Sequence, residues 1–163
     1  MRHLAPALAL IAFAAPSTAQ TAAGLPADAA RSTIESFARE FDVDGDGRIA
    51  RAELAGGVRT VFPSVDADGS GAVDRREFLE WEFGFADMAR FRSREQAYEA
   101  AMGLVFELYD RDGSGAVDEG EYATAMDASL DYADVDEDGA LTYDEFFRGF
   151  LINVALRNAM VER

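Results

Sequence analysis

Carboxylates closely spaced around glycine recur four times in this chain, in twelve-residue segments that each end on glutamate. The segments are DVDGDGRIARAE from Asp42, DADGSGAVDRRE from Asp66, DRDGSGAVDEGE from Asp110 and DVDEDGALTYDE from Asp134. Each has Asp at positions 1 and 3, Asp or Ser at 5, Gly at 6, an aliphatic residue at 8 and Glu at 12. Ionised carboxylates are hard oxygen donors with no proton to give, and several converging on one point hold a hard divalent cation. Carboxylates can also work as acid and base, but that requires a cleft that raises one carboxyl pKa. The chain has no Cys, its one His is His3, and no G-x-S-x-G elbow occurs, so nucleophile-and-base chemistry lacks its parts. One acidic glycine-rich stretch would read as a solvated turn, whereas four in the same register do not.

On these residues and this spacing the chain resembles the EF-hand superfamily, as a calmodulin-like four-loop calcium-binding protein of the exported bacterial type. The resemblance implies an all-α fold of paired helix-loop-helix hands, with up to four calcium ions held by side-chain and main-chain oxygens. In loop 1 the implied ligands are Asp42, Asp44, Asp46, the carbonyl of Arg48 and both oxygens of Glu53, with a water near Ala50. Loop 2 matches with Asp66, Asp68, Ser70, the carbonyl of Ala72, Asp74 and Glu77. Loop 3 matches with Asp110, Asp112, Ser114, the carbonyl of Ala116, Asp118 and Glu121. Loop 4 matches with Asp134, Asp136, Asp138, the carbonyl of Ala140, Thr142 and Glu145. Glutamate rather than aspartate at position 12 favours calcium over the smaller, strictly octahedral magnesium. Ile49, Val73, Val117 and Leu141 at position 8 carry no donor; the resemblance implies that each bridges to a partner loop beneath the ions. Two departures stand out. Ala50 cannot anchor a water at position 9, and Glu137 occupies position 4, where the other loops have Gly45, Gly69 and Gly113.

The loops start at 42, 66, 110 and 134, steps of 24, 44 and 24, which reads as two pairs. On that reading residues 29–92 form one pair with loops 42–53 and 66–77, and residues 93–163 form a second with loops 110–121 and 134–145. Only twelve residues separate the Glu of one loop from the Asp of the next within each pair, so the helices between paired loops must be shortened. Pro63 predicts a restart in the first bridge, Leu54 to Val65, because proline lacks an amide hydrogen and clashes with the preceding turn. Ala27 to Phe41 reads as the first entering helix, with Ile34, Phe37, Ala38 and Phe41 on one face. Ser93 with Gln96 reads as a capping box for a helix running to Tyr109, and Phe146 to Leu156 as one final amphipathic helix. The aromatic cluster Trp81, Phe83, Phe85, Met88 and Phe91 is read as core before partner surface, and Asp127, Asp131 and Glu119 as solvated charges.

Arg2 and His3 precede an apolar run from Leu4 to Ala15 and a small-x-small sequence ending at Ala19. That pattern predicts a signal peptide over 1–19, a short flexible segment over 20–28, and a periplasmic or secreted product. Removing 1–19 leaves a net charge of −17, from 14 Arg against 31 Asp and Glu, with 16 of those carboxylates at loop ligand positions. Such a charge argues against nucleic acid as a partner, and the chain has no second segment suited to membrane insertion. Four divalent ions would bring −17 to −9, so metal binding should be coupled to folding. The expected function is calcium binding without catalysis, as sensor or buffer. The alternative is a calcium-stapled structural or protein-interaction module.

Overall fold

Residues 27–81 and 85–160 are described by the computed structural model, so the expected leader over 1–19, residues 20–26 and Phe83 lie outside it. In chain order the elements are α1 (Ala27–Phe41), β1 (Arg48–Ala50), α2 (Arg51–Val65), β2 (Ala72–Asp74), α3 (Arg75–Glu80) and α4 (Ala86–Phe91). These are followed by α5 (Glu95–Tyr109), β3 (Ala116–Asp118), α6 (Glu119–Ala133), β4 (Ala140–Thr142), α7 (Tyr143–Gly149) and α8 (Leu151–Met160). The fold is helical, as expected of EF-hand architecture, and its strands are three-residue bridges between loops.

Each twelve-residue bridge forms the greater part of a single helix. The helix α2 runs fifteen residues without a break, with Pro63 in its last turn, and α6 matches it at fifteen. Pro63 is tolerated because near the carboxyl end it removes one ladder bond without cutting the helix in two. Both helices serve as the exit from one loop and the entrance to the next.

This double duty overturns the expected pairing. Strand β1 pairs antiparallel with β4, Ile49 opposite Leu141, and β2 pairs with β3, Val73 opposite Val117. Loop 1 therefore joins loop 4, and loop 2 joins loop 3. The physical reason is the rod between the loops. Fifteen helical residues span about 22 Å, whereas bridged strands lie about 5 Å apart, so loops at the two ends of one helix cannot meet. The segments 29–92 and 93–163 are consequently not separate pairs; each contributes one loop to each bridge.

Adding 68 to a residue number carries α1 onto α5, β1 onto β3, α2 onto α6 and β2 onto β4. The same shift turns the β1–β4 bridge into the β3–β2 bridge, so the two halves join as a self-complementary pair with α2 packed on α6. Leu54, Val58, Phe62 and Val65 of α2 are buried with Tyr122, Met126 and Leu130 of α6. The rings of Phe62 and Tyr122 meet edge to face at 5.7 Å, as do Tyr109 and Tyr122 at 5.6 Å. Arg51 pairs with both Asp127 and Asp131, so these carboxylates, solvated as expected, also link α2 to α6 at the surface.

Three smaller expectations also change. Ser93 lies in a left-handed turn at φ 55° and α5 starts at Glu95, so Ser93 does not cap it. The final helix divides at Phe150, whose ψ of 126° turns the chain, and Asn153 Nδ2 donates to the Phe146 carbonyl at 2.9 Å across the break. Of the aromatic cluster, Trp81, Phe85 and Met88 pack against the core while Phe91 is exposed. At the far end of α6, α7 approaches so closely that a Cβ on Gly149 would lie 2.8 Å from Ala133 Cα, which only glycine permits.

Candidate metal centres

Each loop hangs between a helix and a bridge, and its carboxylates are folded inward by the loop's own backbone. Asp42 Oδ2 accepts from Gly47 N–H at 2.9 Å, Asp66 Oδ2 from Gly71 at 2.9 Å, Asp110 Oδ2 from Gly115 at 2.8 Å, and Asp134 Oδ2 from Gly139 at 2.8 Å. The donors are the position-6 glycines, which turn the chain at φ 88° or 89°. The closing glutamate comes back from the following helix to meet the loop's start. Glu53 Oε1 accepts from Val43 N–H at 2.7 Å, Glu77 from Ala67 at 3.0 Å, Glu121 from Arg111 at 2.8 Å and Glu145 from Val135 at 3.0 Å.

The result is four convergent triads, Asp42 with Asp44 and Glu53, Asp66 with Asp68 and Glu77, Asp110 with Asp112 and Glu121, and Asp134 with Asp136 and Glu145. In each, one carboxylate oxygen per residue lies within 4.8 Å of the others. The position-5 carboxylates Asp46 and Asp138, expected as ligands, lie outside these triads. The Ser70 hydroxyl lies 2.8 Å from the Ala72 carbonyl oxygen, and the Ser114 hydroxyl 2.9 Å from that of Ala116, so two expected ligand atoms sit side by side in both loops. Arg48 and Ala140 at position 7 donate their N–H groups to Asp46 and Asp138 at 2.9 and 3.1 Å.

Position 9 has a second task that was not foreseen. Asp74 and Asp118 cap α3 and α6 by accepting the N–H groups of Glu77 and Glu121, both at 2.8 Å, and Thr142 caps α7 likewise at 3.2 Å. Ala50 offers no such cap, although its N–H still donates to Glu53 Oε2 at 2.8 Å. Loop 4 carries its foreseen irregularity: Glu137 is held at φ 58°, in the region the other loops assign to glycine.

The electrostatics differ between loops. The Ser70 hydroxyl holds Asp68 below the usual carboxylate range, and Ser114 does the same for Asp112. Asp42 is lowered chiefly by the Tyr143 hydroxyl, which donates to its Oδ2 at 2.6 Å. Asp138 is lowered chiefly by Arg48, whose guanidinium hydrogen-bonds to it. Asp136 moves the other way, raised by desolvation and then by the neighbouring charges of Asp138 and Glu145. Glu145 is lowered: burial pushes it up, but bonds from the Thr142 N–H and hydroxyl and from Val135 N–H outweigh that.

Neither Arg48 nor Tyr143 was singled out as a side chain in the sequence. Arg48 is the one basic residue among the four at position 7, and Tyr143 the one aromatic among those at position 10, which is the signal that was available.

A family model described as EF hand matches residues 39–56, 58–80, 103–127 and 126–151, one match over each loop. The chain belongs to the EF-hand family. A protein of Oryza sativa subsp. japonica described as "Probable calcium-binding protein CML16" is 33% identical over 142 residues, covering 74% of this chain and 77% of that protein. The EF hand is a non-catalytic calcium-binding module, and the all-oxygen donor set of the triads suits that hard cation. Among the described residues no helix is long and apolar enough to cross a membrane.

Proposed function

We propose that this EF-hand chain binds up to four calcium ions and acts as a calcium buffer outside the cytoplasm, with its sites doubling as staples of the fold. The ligands in this reading are the twenty-three residues set out from the four loops, with the triads as their centre. The observation that carries the buffer reading is the bridging of loops across the halves. Opening either half as a lobe would pull on both bridges, whose position-8 residues Ile49, Leu141, Val73 and Val117 are all fully buried. Buffer hands open little on loading, in contrast to sensor hands. Support for export rests on the leader-like sequence of 1–19 alone.

One observation favours a sensor instead. A cavity of about 1090 Å³ lies among α1, α2, α5, α6, α7 and α8, lined by Phe37, Phe41, Trp81, Met102, Phe146 and other apolar groups. Calorimetric titration of residues 20–163 with calcium and with magnesium, followed by small-angle scattering with and without calcium, tests the proposal. Three or four calcium ions, weaker magnesium binding and an unchanged radius of the folded protein are expected. Two or fewer ions would refute the four-site claim, and a large change of radius between two folded states would transfer the role to sensing.

A further inference from the structure

We propose that Arg48 and Tyr143 set the order in which the loops fill, so that loops 2 and 3 load first and loops 1 and 4 load last. This rests on calcium binding by all four loops. The four loops carry the same number of acidic side chains at ligand positions, so formal charge does not rank them. The difference lies in what already engages those carboxylates across each bridge.

In the loop 1–loop 4 pair two side chains cross from one loop to a ligand of the other. The Arg48 guanidinium of loop 1 hydrogen-bonds to Asp138, the position-5 carboxylate of loop 4. The Tyr143 hydroxyl, from the end of loop 4, donates to Asp42 Oδ2 at 2.6 Å. Asp42 thereby accepts four strong hydrogen bonds, from Gly45, Asp46 and Gly47 as well as Tyr143, at 2.6–3.1 Å. Asp110 in loop 3 accepts two of comparable length, from Ser114 and Gly115 N–H, at 2.9 and 2.8 Å. The 68-residue shift places Ala116 where Arg48 stands and Arg75 where Tyr143 stands. Ala116 has nothing to reach with, and Arg75 turns to Glu107 on α5 at 2.8 Å. Among the described residues no equivalent side-chain link joins loops 2 and 3.

A divalent ion entering loop 4 must share Asp138 with a guanidinium and bear its repulsion at close range. An ion entering loop 1 meets an Asp42 whose electron density is already drawn toward four donors, which makes it a poorer ligand. Arg48 also supplies loop 1 with its position-7 carbonyl, so the residue that an ion in loop 1 orders is the residue whose arm an ion in loop 4 contends with. Reciprocity of linkage then makes each of these two sites sensitive to the other.

The test uses the amide signals of Gly47, Gly71, Gly115 and Gly139, each of which donates to its own loop's position-1 aspartate and so reports one site. In a calcium titration followed by nuclear magnetic resonance, Gly71 and Gly115 should reach half-change first. Gly47 and Gly139 should require on the order of fivefold more free calcium. Arg48→Gln and Tyr143→Phe should each narrow the gap, the double variant should close it, and Arg75→Gln should leave it intact. Both altered side chains are partly solvent-exposed, and circular dichroism verifies that the variants fold. Simultaneous movement of all four amides in the unaltered protein would overturn the proposal. So would a gap that survives the double variant, which would assign the order to Ala50 and Glu137. Calcium that moves none of the four would instead overturn calcium binding itself.

Discussion

At the scale of single residues, the loops show which deviations from a repeating pattern have a physical consequence. Ala50 loses a cap and a water anchor but keeps the bond from its N–H to Glu53, so loop 1 holds its shape with less to hold it. Glu137 is the opposite case: the burden falls on the backbone, held at φ 58°. A side-chain-bearing residue in the left-handed region is strained by about 1–2 kcal/mol, while glycine there adds some freedom to the unfolded chain. Glu137→Gly should therefore raise the stability of the calcium-free protein by about 0.5–1 kcal/mol. Urea unfolding in chelator measures it, and an unchanged or lower midpoint would show that loop 4 has already relaxed the strain.

At the scale of elements, the helices that bear the loops are held to one another by charges as well as by apolar faces. Asp144 in the first turn of α7 accepts from Arg148 on its own helix at 2.7 Å and from Arg31 on α1 at 2.9 Å. Arg148 first and Arg31 second hold its carboxyl below the usual range. A carboxylate depressed by folding contributes stability that is present above its unfolded pKa near 4 and is lost as pH falls through its folded value. The groups are about half exposed, so the contribution is small. Asp144→Asn should lower the urea midpoint in chelator at pH 7 by no more than roughly 0.5 M, and the difference should be smaller at about pH 3 than at pH 7. A loss of equal size at both pH values would mean that packing, not charge, explains Asp144.

These elements also mark how far the sequence could be read. The span of α1 and the convergence of the four carboxylate triads were readable because each is fixed by a local pattern: an apolar face in one case, a twelve-residue spacing in the other. The continuity of α2 through Pro63 and the division at Phe150 were not, since both depend on what packs against the helix. The side-chain links of Arg48 to Asp138 and Tyr143 to Asp42 join residues 90 and 101 positions apart, and no local spacing encodes them. The pairing itself was within reach. A bridge of twelve residues is too short for two helices and a turn, and one straight helix holds its two loops apart.

At the scale of the whole molecule, that single length decides the architecture. A longer bridge would let consecutive loops fold back and pair, giving two lobes; the short one sends each loop to the other half and closes the chain into one self-complementary body. Each half then exposes, when alone, the two position-8 residues and the α2 or α6 face that the other half covers. Segments 20–92 and 93–163 produced separately should be poorly folded even in calcium, or should form symmetric pairs with their own copies. Mixed in equal amounts with calcium, they should assemble one to one and recover the helix content of the intact chain. Light scattering after size exclusion, with circular dichroism of the mixture, reads both outcomes. Monomeric halves that each bind two calcium ions with full helix content would require loops 1 and 2 to bridge within one half. That would contradict the role given to the rigid helix between them.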